Sequence, residues 1–295
     1  QPSAPKERMT ALEKKCAIKM ENITKRFGSK VIANKDVNLD LYEGEILSLL
    51  GENGSGKTTL MNMLSGIYFP DEGQIYVHDK PVTIASPKDA FDLGIGMIHQ
   101  HFKLVDLFTA TENIILGLEG KLDLNNARQK VKDICDKYGF DIDPDMKIYD
   151  MSVSQKQTVE IVKVLYRGAD ILILDEPTAV LTPQETDKLF AVMRNMKADG
   201  KSLIIITHKL HEVLDVSDRV AVLRKGEYIG DVLTKDADQQ SLTDMMVGHS
   251  VSLNINRPTP VNVEPRLKIE GLTVFDELGV KRLDNVSFTV NAGEV

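Results

Sequence analysis

The residues most able to do chemistry form one run, in which a glycine is followed by four residues and then by Gly-Lys-Thr. The run is Gly51, Glu52, Asn53, Gly54, Ser55, Gly56, Lys57, Thr58 and Thr59. Glycines let the backbone fold closely around phosphate oxygens, so that amide groups and the positive end of a following helix face one anion. Lys57 is predicted to reach the β- and γ-phosphates of a nucleotide, and Thr58 to offer its hydroxyl to Mg²⁺.

The neighbouring sequence supports this interpretation. The apolar run 46–50 is predicted to enter the loop as a buried strand, and residues 58–64 to leave it as a helix. A strand, a glycine-rich loop and a helix in that order are the setting that a phosphate-binding loop requires. An ordinary glycine-rich turn between a strand and a helix is the alternative.

Two adjacent carboxylates follow another apolar run. Residues 171–174 are fully apolar and lead into Asp175 and Glu176. The carboxyl end of a buried parallel strand is where open α/β sheets bind ligands. Asp175 is therefore predicted to hold the Mg²⁺ shell and Glu176 to polarise an attacking water as general base, the alternative being surface acids at the start of a loop. A further buried strand, 202–207, leads to His208, which can hydrogen-bond a γ-phosphate.

Gln100 follows a predicted strand at 95–99. Two other segments have side chains that could contact a nucleotide. The run 152–155 is a capping box that opens a helix, whose amino end is either an anion site or an ordinary cap. Phe27 ends a strand some two dozen residues before the phosphate loop. Its ring could stack on an adenine, and a core position is the alternative.

Composition restricts the class of protein. The chain of 295 residues can form two ordinary domains, and 42% hydrophobic with 27% charged residues is typical of a soluble globular protein. A net charge of −8 without a basic stripe argues against nucleic acid as a partner. Apolar runs reach only four or five residues, whereas ~20 span a bilayer. Two separated cysteines, Cys16 and Cys135, and a polar start without a secretory signal favour a reducing cytoplasm.

Hydrophobic periodicity predicts an alternation of strands and helices with a mostly helical insert at about 101–151. Residues 109–112 form a capping box, residues 182–185 cap another helix, and an amphipathic helix at 125–138 places Cys135 in the core. The predicted organisation is a tail at 1–16, a first domain at 17–248, a proline-containing linker at 249–265 and the start of another domain at 266–295.

The end of the chain repeats the beginning of the first domain. Residues 267–273 (LKIEGLT) match 18–24 (IKMENIT), and 292–295 (AGEV) match 43–46 (EGEI), both at one offset of 249 residues. At this offset a second phosphate loop would begin at position 300, so we expect a tandem protein that is cut inside its second copy. Two unrelated strand pairs with similar sequences are the alternative.

Taken in order, these motifs resemble the ATPase subunits of ABC transporters over nearly the whole chain. The resemblance implies an α/β fold, a P-loop NTPase of ABC type with a mixed sheet core, an antiparallel β subdomain and an α-helical insert. It implies that Gln100 links Mg²⁺ and water to the membrane subunit, that Gln100, Glu176 and His208 are catalytic, and that Phe27 stacks on adenine. It also implies a signature that contacts ATP held by the opposite ATPase unit. The signature residues are Ser152, Val153, Ser154 and Gln155.

The tandem layout, with segments 97–106 (MIHQHFKLVD) and 176–182 (EPTAVLT), looks like the ATPases of simple-sugar and nucleoside importers, and the nucleoside branch is favoured. The cofactors implied are ATP and Mg²⁺. The partners implied are separate membrane permease subunits, a second ATPase half or a homodimer partner, and indirectly an extracellular substrate-binding protein. The location implied is the cytoplasmic face of the cell membrane, where the protein is peripheral.

Two positions depart from the family pattern. Ser154 stands where the family usually has glycine, and Thr158 where it usually has arginine or another long residue. That glycine approaches the γ-phosphate closely, so Ser154 either crowds the phosphate or supplies one more hydroxyl donor. We expect the first-half loop and carboxylates, completed by the second half's signature, to form the hydrolysing site.

Two other functions compete with solute import. One is a soluble ABC-type ATPase that acts on the ribosome or DNA, against which the short linker and the lack of coiled coils and zinc cysteines argue. The other is a clamp that binds nucleotide without turnover, which the presence of Lys57, Asp175, Glu176 and His208 disfavours. The chain alone is expected to bind nucleotide with little hydrolysis.

Overall fold

The computed structural model describes residues 15–28, 30–100, 102–118, 123–249, 264–276 and 279–293. The chain forms two compact units, Gln1–Val251 and Ser252–Val295. The predicted tail at 1–16 and linker at 249–265 fall almost entirely outside the described residues.

The first unit contains two sheets. Their strands are β1 (Cys16–Phe27), β2 (Val31–Tyr42), β3 (Ile46–Leu50), β4 (Glu72–Val77), β5 (Lys80–Val82), β6 (Ile95–Ile98), β7 (Ile171–Asp175), β8 (Ser202–Thr207), β9 (Arg219–Arg224) and β10 (Glu227–Leu233). The helices that connect or cover them are α1 (Lys57–Leu64), α2 (Pro87–Asp92), α3 (Ala110–Ile115), α4 (Leu124–Tyr138), α5 (Val153–Tyr166), α6 (Pro183–Ala198), α7 (Leu210–Val216) and α8 (Gln239–Val247).

The larger sheet has the order β10-β9-β3-β8-β7-β6, and its neighbours are parallel except for β10 against β9. Strands β3, β7 and β8 are buried along their whole length. Leu50 lies opposite Thr207, and Asp175 lies opposite Ile206. The carboxyl ends of these three strands therefore meet at one edge of the sheet.

Helices pack on both faces of this sheet. Leu47 and Ile173 share one core with Leu60 of α1. Leu172 shares another core with Ile161 of α5 and with residues of α6. Strands covered on both faces read as continuous apolar runs, which is why the sequence predicted β3, β7 and β8 as buried strands.

The smaller sheet, β2-β1-β4-β5, is antiparallel throughout, so the predicted antiparallel subdomain is confirmed. The sequence predicted neither β5 nor α7. β5 has three residues, one of them proline, and α7 has seven. Segments this short show too little periodicity to be recognised in a sequence.

Caps set the beginnings of the longer helices. Capping boxes at Thr109, Ser152 and Thr182 begin α3, α5 and α6, as the sequence predicted. Each box satisfies backbone groups at the helix start that have no partner inside the helix. Among the described residues, no helix has both the length and the apolar character needed to cross a bilayer.

Helices α3 and α4 lie in the predicted helical insert and pack on α5. Val131 and Cys135 of α4 join Ile148 and Val159 in one buried cluster. The amphipathic pattern of α4 assigned Cys135 to the core, and the thiol is buried there.

The second unit contains an antiparallel hairpin of β11 (Pro265–Phe275) and β12 (Lys281–Asn291). Leu267 pairs with Val290 as Ile18 pairs with Leu41 in the first unit. Both partners are shifted by the same 249 residues (267 − 18 and 290 − 41).

Residues with positive φ also recur at the offset of 249 residues. Asn22 and Asp36 have φ of +52° and +48°, and Gly271 and Asn285 have +63° and +50°. The backbone N–H of Asp36 donates to Thr24 Oγ1, as that of Asn285 donates to the hydroxyl of Thr273. The two hairpins thus share pairing register and bulge positions.

Candidate functional site

The phosphate loop connects β3 to α1 and requires its glycines for steric reasons. Gly54 and Gly56 have φ of +79° and +95°, in the left-handed region that residues with a Cβ rarely adopt. A Cβ on Gly51 would lie 2.3 Å from the carbonyl oxygen of Leu223, and one on Gly56 would lie 2.4 Å from that of Ala33. The loop is a tight cradle of backbone at the amino end of a helix, where anions bind.

Two polar side chains are buried within the loop. Lys57 Nζ donates hydrogen bonds to the carbonyl oxygens of Gly51 (2.7 Å) and Glu52 (2.9 Å). Burial lowers the pKa of the Lys57 ammonium, although nearby carboxylates oppose this effect. Ser55 Oγ is buried and lacks a hydrogen-bond partner among the described residues. A buried cation beside an unsatisfied hydroxyl fits an anionic ligand such as a phosphate.

The loop is also held from outside, by contacts that the sequence did not indicate. Asn34 on β2 is fully buried, and its Nδ2 donates to the carbonyl oxygen of Gly56 at 3.3 Å. Gly226, in the turn between β9 and β10, donates its N–H to the carbonyl oxygen of Ser55 at 3.1 Å. A polar residue on the core side of a strand was the only sequence signal for Asn34.

Thr58 and Asp175 form the predicted metal-binding pair. Thr58 Oγ1 donates to Asp175 Oδ2 at 3.3 Å. Asp175 is buried, and this burial raises the pKa of its carboxyl despite the hydrogen bond from Thr58. A hydroxyl and a desolvated carboxylate supply the oxygen ligands that Mg²⁺ prefers. The donor set therefore fits a magnesium ion.

Glu176 and His208 come together from neighbouring strands. Glu176 Oε1 lies 2.9 Å from His208 Nδ1. The backbone N–H of Glu176 donates to the carbonyl oxygen of Ile206 on β8 at 2.9 Å. The φ of Glu176 is +47°, which a residue with a Cβ adopts only when the surrounding structure holds it there, as it often does at functional sites.

A cavity of about 450 Å³ brings the phosphate loop together with residues from three other segments. Its lining consists of Val31, Ile32, Ala33, Asn53, Gly54, Ser55, Gly56, Lys57, Thr58, Thr59, Gln100, Asp175 and Glu176. The predicted loop, glutamine and carboxylate residues thus share one space. Val31 and Ile32 are half-exposed and form an apolar wall that the sequence analysis did not identify.

Phe27 is not part of that lining. It ends β1, pairs with Val31 of β2, and its ring lies edge-on to Tyr68 with the centroids 5.2 Å apart. The ring is 39% exposed, and through Val31 its strand adjoins the apolar wall. Stacking of Phe27 on an adenine stays a prediction.

The signature residues also lie outside the lining of the phosphate cavity. Ser152 caps α5, with its N–H donating to Gln155 Oε1 at 2.9 Å. Ser152 Oγ and Ser154 Oγ lie 3.1 Å apart, and Val153 is exposed. Ser152, Ser154 and Gln155 line a separate cavity of about 560 Å³ between α5 and α6. The amino end of α5 therefore borders a cavity of its own, and its contact with ATP held by an opposite ATPase unit stays a prediction.

The fold and the site define a class of protein. The larger sheet carries a phosphate loop after β3, adjacent carboxylates at the end of β7 and a histidine after β8, the strand between them. Together with the antiparallel subdomain and the helical insert, this is the architecture of an ATP-binding cassette. Residues 34–179 match the family model described as ABC transporter. The chain belongs to the ABC transporter family of ATPases.

Two curated relatives of this chain are import ATP-binding proteins. The chain is 49% identical over 282 residues to the nucleoside import ATP-binding protein NupA of Lactococcus lactis subsp. cremoris, and equally identical over 282 residues to the guanosine import ATP-binding protein NupO of Bacillus subtilis. The alignments cover 94% of this chain but only 56% and 55% of those proteins. The chain thus spans about half the length of the curated relatives it matches.

Solved structures give the same fold. A nucleotide-free ATP-binding cassette from an ABC transporter matches with a TM-score of 0.70 at 27% identity, over 79% of this chain and 97% of that chain. A dimeric, post-hydrolysis cassette bound to ADP and Pi matches with a TM-score of 0.64 at 26% identity, over 74% of this chain and 98% of that chain.

Proposed function

We propose that this chain binds ATP with Mg²⁺ and hydrolyses it, as part of an ATPase subunit that energises import of a small polar solute. The convergence of Lys57, Thr58, Asp175 and Glu176 on one cavity carries this proposal. Phosphoryl transfer requires a phosphate cradle, a cation, metal ligands and a group that orients water. The four residues and the loop supply each of these parts.

The residues of the site divide the chemistry among them. Loop amides and Lys57 Nζ hold the β- and γ-phosphates and neutralise the charge that develops on them. With a proton on Nδ1, His208 donates to Glu176 Oε1, which leaves Oε2 to accept a proton from water. That water forms a bond to the γ-phosphorus while the bond to the bridging oxygen breaks, and ADP and phosphate are released.

Thr58 Oγ1, Asp175 Oδ2 and the amide oxygen of Gln100 would hold the magnesium ion. When bound, Mg²⁺ neutralises negative charge on the β- and γ-phosphate oxygens. This chain would contribute the side-chain oxygens of Thr58, Gln100 and Asp175, and all three residues line the cavity beside the phosphate loop.

A second ATPase unit would complete the site. The signature residues Ser152 to Gln155 do not line this chain's own phosphate cavity, as expected if they contact ATP bound to another unit. The similarity to a dimeric cassette supports this arrangement. The shared register and bulges of the two hairpins support a tandem protein, in which 266–295 begin the second ATPase domain.

The names of these two relatives favour a nucleoside as the solute, and a simple sugar is the alternative that the sequence resemblance implies. An import ATPase needs a path through the membrane, so separate permease subunits are proposed as partners, and the cytoplasmic face of the membrane as the location. An extracellular substrate-binding protein would deliver the solute to the permease.

Uptake of labelled nucleosides and pentoses tests this function. The complete gene, or its Lys57→Ala variant, is returned to a strain that lacks it. We expect nucleoside uptake to return with the wild type and with a control, Lys235→Ala, at an exposed position, but not with Lys57→Ala. Equal uptake with all three would refute the proposal. Sedimentation of the protein with ribosomes instead of membranes would favour the ribosomal alternative.

A further inference from the structure

A hydrogen-bonded polar cluster, two of whose three members are buried, adjoins Glu176 and His208. It consists of Thr178, which closely follows Glu176, and of Lys209 and Glu212, which follow His208. Thr178 Oγ1 donates to Glu212 Oε2 at 2.5 Å. Lys209 Nζ donates to the carbonyl oxygen of Thr178 (2.9 Å), to Thr178 Oγ1 (3.2 Å) and to Glu212 Oε1 (2.9 Å). We call these three residues the Thr178 cluster.

Two of the three residues are nearly closed to water. Thr178 is 2% exposed and Glu212 is 5% exposed, whereas the Lys209 side chain is 31% exposed. A carboxylate at this depth is tolerated only when it is paired and hydrogen-bonded, and hydrogen bonds to charged groups are among the stronger ones in proteins. None of the three residues is in the lining of the phosphate cavity. Their side chains therefore serve something other than direct contact with the nucleotide.

The cluster joins the loop that carries Glu176 to the loop that carries His208. Lys209 directly follows His208, and its backbone N–H is fixed to Thr207 Oγ1 at 3.1 Å. On the other side of the first loop, Gln157 Nε2 of α5 donates to the carbonyl oxygen of Pro177 at 2.7 Å. The two residues after Glu176 are thus held from two directions.

This anchoring coincides with the unusual backbone of Glu176. A φ of +47° costs free energy in a residue with a Cβ, and it persists only where neighbouring contacts over-determine it. On the carboxyl side of Glu176, the Ala179 N–H donates to the Glu176 carbonyl oxygen at 3.2 Å, and the contacts to Pro177 and Thr178 hold the next two residues. If they were lost, Glu176 could relax to an ordinary φ, and its carboxylate would move relative to His208.

We propose that Thr178, Lys209 and Glu212 are positioning residues, which hold the Glu176 carboxylate within hydrogen-bond distance of His208. This inference rests on the proposed ATP hydrolysis. Misplacing a reacting group by ~1 Å can reduce turnover ~100-fold. Binding of ATP by the phosphate loop does not need the cluster, so kcat and ATP affinity should respond differently to its loss.

Substitutions of Thr178 test the proposal in the complete ATPase. Thr178→Val removes the hydroxyl at nearly constant volume, and Thr178→Ser keeps the hydroxyl. Thr111→Val is a matched control, because Thr111 is also 2% exposed and its Oγ1 donates to the carbonyl oxygen of Pro144 at 2.9 Å, in the helical insert. For each variant, ATP affinity, kcat and melting temperature are measured.

We expect Thr178→Val to lower kcat at least about tenfold with unchanged ATP affinity, Thr178→Ser to restore most of kcat, and Thr111→Val to lower only the melting temperature. Lys209→Met, which removes the cation from the same cluster, should also lower kcat at unchanged ATP affinity, and it serves if Thr178→Val does not fold. Wild-type kcat in both Thr178→Val and Lys209→Met, or the same loss in Thr111→Val, would overturn the inference. A wild type without ATP turnover would instead overturn the proposed function.

Discussion

Glu176 Oε1 and His208 Nδ1 lie 2.9 Å apart, although the two residues lie in different loops, one after β7 and the other after β8. They meet because β7 and β8 are adjacent and parallel, with Asp175 opposite Ile206. The histidine thereby fixes one carboxylate oxygen of Glu176 and leaves the other for water. This pairing is the structural basis for treating Glu176 as the general base.

Replacing Glu176, the proposed base, should separate ATP binding from ATP turnover. In the complete protein, Glu176→Gln keeps the size and a hydrogen-bond acceptor for His208 but cannot take a proton from water. We expect ATP affinity within a few-fold of wild type and turnover lower by ~100-fold or more. Glu72→Gln, at an exposed residue that pairs with Arg26, is the control. Undiminished hydrolysis in Glu176→Gln would remove the base assignment.

Substitution of Ser154 tests whether the signature of this half contributes to the site that hydrolyses ATP. The Ser154 hydroxyl lies 3.1 Å from that of Ser152, at the amino end of α5. If the signature of this half faces a weaker nucleotide site, Ser154→Gly in the complete protein should change ATP turnover by less than about twofold. Steady-state ATPase assays measure this directly. A rise of tenfold or more would mean that Ser154 restrains the main hydrolysing site.

Arg219 is the centre of a buried ion-pair network in the first unit, so its replacement should destabilise the fold. Arg219 donates to both carboxylate oxygens of Glu45 (2.9 and 3.0 Å), to Asp231 (2.9 Å) and to the carbonyl oxygen of Asp40 (2.6 Å). Arg219 and Glu45 are 6% and 2% exposed. Arg219→Met leaves a buried carboxylate without its cation, so we expect a loss of about 3–5 kcal/mol in the free energy of unfolding.

Chemical denaturation measures this loss. Lys35→Met is the control, because Lys35 pairs with Glu227 at a surface where both side chains are 55% exposed, and surface pairs contribute little. Equal midpoints for the two variants would show that the Arg219 network does not stabilise the fold.

The raised pKa values of the two cysteine thiols predict slow alkylation of the folded chain. Burial raises the pKa of the Cys135 thiol to about 11, and burial with the Asp40 and Asp79 carboxylates raises that of Cys16 to about 11. Both thiols therefore stay protonated in the folded chain at pH 8, and only the thiolate reacts with alkylating agents. We expect slow labelling of the folded protein and rapid labelling in urea, measured by mass spectrometry.

The same pKa shifts predict how stability changes with pH. Between pH 9 and 11 the thiols are protonated in the folded chain but lose their protons in the unfolded chain, where their pKa is the ordinary 9.0. The free energy of unfolding should therefore fall as pH rises from about 9 to 11. Rapid labelling of folded protein at pH 8 would contradict the burial of these thiols.

The sequence predicted the parts of the site that depend on local patterns. Short contiguous motifs, whose residue types indicate phosphate and metal binding, predicted most of the site. They are the loop from Gly51 to Thr59, the pair Asp175 and Glu176, and the strand before His208. Parallel pairing then places them at one edge of the sheet, as expected for α/β proteins. Capping boxes were equally local, so the beginnings of α3, α5 and α6 were predicted correctly.

What the sequence did not reveal depends on contacts between distant segments. Asn34 contacts Gly56 only because β2 passes beside the phosphate loop, and Thr178 meets Glu212 only because β7 and β8 are neighbours. No sequence pattern around either residue indicates which distant residue it contacts. The short elements β5 and α7 were missed because a few residues cannot show a period.

A structure with Mg²⁺ and a non-cleavable ATP analogue tests the central claim most directly. The account predicts that the triphosphate occupies the phosphate loop and that Lys57 Nζ contacts it, replacing its present hydrogen bonds to the carbonyl oxygens of Gly51 and Glu52. A loop that stays empty at saturating analogue, with Lys57 still bound to those two carbonyl oxygens, would contradict the account.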